Sequence, residues 1–179
     1  MLTNNKLIIC FSILYVMLST LIYHNVSRVK PHRESDSIRY ETKANLFYET
    51  NKFFPQFDKP IAPQPIGYSF FIGIVHKIFG QKDAPLIWLQ ILLTLLAGIF
   101  TFLSAKHLFG KTIAAIAFAF FTINIGYLTF AQFILAECLT IFFLTLYFER
   151  FTNFIKTKSI PSLLFASFIL GVSTLVKPA

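Results

Sequence analysis

Hydrophobic positions in this chain come in long runs with few interruptions, and those runs set the expected architecture. Leu7 to Tyr23 holds no charged residue and only Ser12, Ser19 and Thr20 as polar breaks. At about 1.5 Å per residue it just spans a hydrocarbon core of about 30 Å. No small-residue cleavage site follows, so the run predicts an uncleaved first transmembrane helix (7–23) rather than a signal peptide. A long polar stretch comes next and opens an outer loop over 24–84. Within it, Ser35 is placed to cap a surface helix from Asp36 to about Asn51, with Tyr40, Ala44, Phe47 and Tyr48 on one face. The four prolines between Phe54 and Pro65 predict an extended connector. Ile66 to Phe79 is apolar again, bounded by Pro65 and Gly80. It falls short of the roughly 17–25 residues a span needs, so it reads as an interfacial or re-entrant helix with Lys77 and Lys82 at its wet end. Four further spans are expected over 85–108, 112–127, 128–148 and 160–176. Trp88 anchors the first of these at an interface, and Glu137 lies inside the third. The expected fold is an all-α membrane protein with about five transmembrane helices, plus interfacial helices in the long first loop.

Composition reinforces the pattern. Hydrophobic residues make up 55% of the chain and charged residues 13%, with a mean hydropathy of +0.65 and 23 phenylalanines. That excess over the roughly 45–50% of a soluble domain cannot be hidden in one aqueous core, so lipid is the solvent. The net charge of +8 would suggest nucleic acid on a soluble protein. Here the basic residues sit between apolar runs, which makes the charge topological and excludes a nucleic-acid partner. Lys6, the Lys106/Lys111 turn and the Arg150/Lys156/Lys158 turn are expected on the cytoplasmic side with the N-terminus, while the uncharged turn near Asn124 to Tyr127 faces out. Asp36, Lys177 and the start of the fourth helix then lie toward the outer face. Cys10 and Cys138 fall inside apolar runs and act as small hydrophobes. His24, His32, His76 and His107 show no metal-ligand spacing, and no metal site is expected. Glycine-rich phosphate loops and a Gly-x-Ser-x-Gly elbow are missing from the sequence.

Three polar residues carry candidate chemistry. Asp36 reads either as a general base at the membrane surface or as a solvated helix-start acid, with Glu34 and Glu41 close by. Glu137 reads either as the lining of a water-filled cavity or as polar glue between helices. Lys177 reads either as a point charge for a phosphate or as a snorkelling residue that ends the last span.

Several short motifs together resemble the N-terminal part of a GT-C glycosyltransferase, the superfamily of the protein mannosyltransferases and bacterial aminoarabinose transferases. Asp36, followed by Tyr40 and Ala44, is similar to that superfamily's acidic motif in the first outer loop. Pro65-Ile66-Gly67-Tyr68-Ser69-Phe70-Phe71, closing in Ile78-Phe79-Gly80, is similar to its Pro-Pro-Gly-Tyr-Pro-Leu-Phe segment and terminal Leu-Phe-Gly. Leu135-Ala136-Glu137 resembles the acidic start of its fourth helix, and Gly171 to Pro178 its Gly-x-x-x-Leu-x-Arg-Pro. Ile66 and Ser69 stand where prolines are usual. Lys177 stands for the usual arginine, keeping the charge but losing the bidentate fork. The resemblance implies transfer of a sugar from a polyprenyl-phosphate carrier at the outer face of a bacterial inner membrane. It implies Asp36 as the base, Lys177 beside the carrier phosphate, and Glu137 and Tyr40 as substrate-binding residues. The lipid-linked donor needs no nucleotide-binding fold and no separate cofactor. Relatives are several hundred residues long, so this chain is expected to be a fragment, inactive alone. A non-catalytic membrane protein or remnant, and a piece of a transporter using Glu137, are the competing readings.

Overall fold

The computed structural model describes residues 4–26, 35–52 and 65–177. Among these the structure is all-helical: α1 (Asn4–Val26), α2 (Ser35–Thr50), α3 (Ile66–Phe79), α4 (Asp83–Phe109), α5 (Lys111–Ile123), α6 (Ile125–Phe130), α7 (Glu137–Thr157) and α8 (Ile160–Val176). The side chain of Ser35, Glu34, His32, the proline connector over 53–64 and Pro178 lie outside the described residues.

Helices α1, α4 and α7 are long and apolar enough to cross a membrane, and α3, α5 and α8 are shorter apolar helices. Large side chains point away from the protein along them: Met17, Phe120, Leu164 and Phe168 are each about two-thirds exposed. A water-soluble fold would not leave such a set bare, so these faces meet acyl chains and the protein is an integral membrane protein. The turn from α4 to α5 passes through Gly110, whose φ of 84° is open to glycine without strain. Pro161 sits in the first turn of α8, where its missing N–H costs nothing.

Two boundaries differ from the sequence expectation. The apolar run over 112–127 is broken at Asn124, which leaves the helix in an extended conformation and accepts a hydrogen bond from the Tyr127 amide at 3.3 Å to start α6. The run expected over 128–148 is replaced by α7, which begins nine residues later, at Glu137. Glu137 is therefore the first residue of its helix, not a residue within a span. Glu149 and Arg150, expected in a charged turn, lie inside α7. Residues 131–136 between α6 and α7 are irregular.

Packing centres on α4, which lies against α5 and α7, while α7 pairs with α8 and α2 lies along α3. The largest buried cluster joins five elements: Tyr40 and Ala44 of α2, Tyr68 and Ile72 of α3, Leu86 of α4, Leu139 of α7 and Val176 of α8. Two glycines allow α3 to sit this close. A Cβ on Gly67 would lie 2.7 Å from the Leu175 carbonyl oxygen of α8, and one on Gly73 would lie 2.6 Å from the Phe47 ring of α2. So α3, too short to span, acts as the bracket between the surface helix α2 and the end of α8.

Candidate functional site

Where α2, α3, α7 and α8 converge, the polar residues of the sequence motifs come together. Asp36 lies in the first turn of α2, where the helix dipole favours a carboxylate. Its Oδ1 is 3.6 Å from Nη1 of Arg39, with both side chains about half exposed. One turn on, Tyr40 is buried at 7% exposure, and its ring meets Tyr68 edge-on at 5.0 Å and 87°. Tyr68, at the start of α3, is wholly buried. Its hydroxyl donates to Oε1 of Gln90, in the first third of α4.

Gln90 is fully buried and uses its amide nitrogen twice. Nε2 donates to the carbonyls of Ala131 at 3.1 Å and Phe133 at 2.8 Å. These carbonyls belong to the irregular stretch before α7, where that of Phe133 also accepts from the Leu135 amide at 2.9 Å. At the end of that stretch stands Glu137, again in the favoured first turn of a helix. Its Oε1 accepts a 2.9 Å hydrogen bond from Nζ of Lys177, just past the end of α8. The Lys177 side chain is half exposed and that of Glu137 29% exposed, so the pair lies at a rim open to solvent.

The electrostatics of this rim are coupled. The hydrogen bond to Glu137 is the main cause that raises the Lys177 pKa above the ordinary lysine value, aided by the charges of Glu137 and Asp36 and by Tyr40 and opposed by partial burial. Burial, then the negative charges of Asp36 and Glu137, raise the Tyr40 pKa, with Lys177 opposing. Tyr40 therefore stays a neutral phenol and Lys177 a full cation at neutral pH. The Asp36 carboxylate is within electrostatic reach of both. Asp36, Tyr40, Glu137 and Lys177 thus share one end of the molecule. An ammonium carries three donors, of which Glu137 takes one. Chemically the rim offers two carboxylates and a cation to solvent, beside the largely buried phenol of Tyr40.

Arg39, Tyr68 and Gln90 were not among the sequence candidates. The signal for Gln90 was available: a lone amide in a long apolar run needs partners. Arg39 carries the weaker signal of an acid three residues before it. His107 likewise gains a partner from afar, since its Nε2 lies 3.7 Å from Oε1 of Glu149, twelve residues along α7 from Glu137. Among the described residues, no three of His, Cys, Asp and Glu gather as metal ligands.

The sequence pattern of the dolichyl-phosphate-mannose-protein mannosyltransferases matches residues 63–179. This chain belongs to that family. The match covers α3 to α8 and thus Tyr68, Gln90, Glu137 and Lys177, while Asp36, Arg39 and Tyr40 precede it. No curated protein and no solved structure matches the chain. Membership makes it a GT-C type membrane glycosyltransferase, in a family that works on lipid-linked sugar donors.

Proposed function

We propose that this chain forms the donor end of an enzyme that moves a sugar from a polyprenyl-phosphate carrier to an acceptor at the outer face of the membrane. The observation that carries the reading is the 2.9 Å Lys177–Glu137 pair, joining two motifs 40 residues apart on the rim that Asp36 and Tyr40 also reach. In this reading Asp36 takes the proton from the acceptor group. The acceptor atom then bonds to the anomeric carbon as the bond from that carbon to the phosphate oxygen breaks. Polyprenyl phosphate departs with the electron pair, and the ammonium of Lys177 offsets its charge. Arg39 holds the Asp36 carboxylate, and the neutral Tyr40 supplies a donor or a ring to the sugar. The cytoplasmic N-terminus, which puts this rim outside, is supported by the basic turns at Lys106/Lys111 and Arg150/Lys156/Lys158.

The test measures binding of polyprenyl monophosphate, without a sugar, to the full-length protein in nanodiscs. Lys177→Gln weakens binding by about tenfold, while Lys177→Arg retains it. Unchanged affinity in Lys177→Gln overturns the assignment.

A further inference from the structure

The buried amide of Gln90 has no place in the chemistry above, yet it links α3, and through Tyr68 the surface helix α2, to the stretch that leads into Glu137. On one side it accepts from Tyr68, whose ring abuts Tyr40 one turn after Asp36. On the other it holds the carbonyls of Ala131 and Phe133, in the stretch that ends at Glu137. Residues 128–148 are apolar enough to continue as one helix, and no proline or glycine stops them. The stretch over 131–136 leaves the helical ladder: the Phe133 carbonyl accepts from the Leu135 amide at 2.9 Å, and the Ala131 and Phe133 carbonyls both take a bond from Gln90. In a lipid-embedded fold the donors to such carbonyls must come from protein. Gln90 supplies two from a single side chain, and Gln132 adds a bond to the Ser19 carbonyl of α1 at 3.3 Å.

We infer that Gln90 is a positioning residue for the transfer site: with Tyr68 it forms a strut that stops α7 from starting early, and so sets Glu137 against Lys177 and α2 against both. The inference rests on the proposed donor site for its functional consequence, but not for its structural one. If the strut were lost, 131–136 would be free to continue as helix. Continuing α7 back through these six residues would carry helix about 9 Å beyond Glu137 along the axis. Glu137 would then sit within the helix rather than in its first turn, and the carboxylate that pairs with Lys177 would lose the favourable helix-start environment. A glutamine that merely filled the core would have no such effect, since methionine of similar shape fills the same space.

The experiment uses the full-length protein in membranes, with Cys10→Ser and Cys138→Ala as background and a reporter thiol at Leu135→Cys, which is partly buried. A membrane-impermeant maleimide reads the state of the stretch. Gln90→Met changes the labelling rate by about tenfold, as expected when the bonds to both carbonyls and from Tyr68 are lost, and Tyr68→Phe changes it by a few-fold. The second readout is the Kd for polyprenyl monophosphate. Gln90→Met raises it about fivefold at an unchanged number of sites per folded protein, whereas general misfolding would reduce the sites and leave the Kd alone. An unaltered labelling rate overturns the strut. Altered labelling with an unchanged Kd overturns the positioning role and leaves Gln90 a structural residue. Failure of the donor-site reading is seen separately, as wild-type affinity in Lys177→Gln. Should Gln90→Met not accumulate, Gln90→Asn, polar but too short to reach both carbonyls, is measured in its place.

Discussion

Helix α7 carries a carboxylate–cation cluster at its start and another twelve residues later, about 18 Å along its axis, and the two are built on opposite principles. Glu137 and Lys177 come from different helices and meet at a rim where the ammonium is half exposed. Water screens such a pair, so it contributes at most about 1 kcal/mol to stability. What it does provide is a charge that a ligand can reach. Glu149, by contrast, has only 7% of its side chain exposed. It lies between His107 of α4, at 3.7 Å, and its neighbour Arg150, whose Nε is 2.8 Å away but misaligned for a hydrogen bond. Arg150 also lies over the Phe165 ring of α8, with its guanidinium carbon 5.7 Å from the centroid. The second cluster therefore ties α4, α7 and α8 together inside the protein, with little of the carboxylate left for a ligand. One end is arranged for binding and the other for holding the bundle.

Substitutions at the two ends separate these roles. The largest expected effect is at Asp36. Asp36→Asn lowers sugar transfer by about 10²–10⁴-fold, the usual contribution of a general base, and leaves the melting temperature and polyprenyl monophosphate binding as they were. Transfer assays on membranes containing the full-length protein check it, and full activity would remove Asp36 from the mechanism. Next is Glu149→Leu at the opposite end. It costs about 2–3 kcal/mol, because His107 and Arg150 lose a buried partner, and it lowers the thermal midpoint in detergent with binding per folded molecule unchanged. Gly67→Ala falls between the two roles. A methyl group 2.7 Å from the Leu175 carbonyl forces α3 off α8, costing about 1–3 kcal/mol and weakening polyprenyl monophosphate binding together with stability. The smallest effect is that of pH. Because Lys177 has its pKa raised in the folded protein, its pair contributes fully below the ordinary lysine value and is lost only as pH rises through the higher folded value. Carrier binding should accordingly stay level from about pH 7 to 9 and fall only in more alkaline solution. A decline already complete by about pH 9 would contradict the geometry of the pair.

Much of this organisation was legible along the chain. Proline at 65 and glycine at 80 bracket α3, and the apolar content of 7–23 and 85–108 marks helices that the structure extends only at their ends. The motif glycine at 67 could be recognised, but the reason for it could not, since the reason is the backbone of Leu175 more than 100 residues away. The late start of α7 was hidden for a related cause. Hydropathy over 128–148 is continuous, and the groups that hold the break come from elsewhere: the Gln90 side chain of α4 donates to the Ala131 and Phe133 carbonyls, and Gln132 donates to the Ser19 carbonyl of α1.

Local composition was sufficient for the class of protein, because transfer of apolar groups out of water depends on how many there are and how they are spaced, not on their partners. Motif likeness brought Asp36, Glu137 and Lys177 forward as candidate site residues, without showing that they meet. Folding decided which of those charges meet, where α7 begins, and that Gln90 and Tyr68 belong with them. Hydrogen bonds and close packing act over about 3 Å between groups the chain order keeps apart, so no window of sequence contains both halves of such a contact.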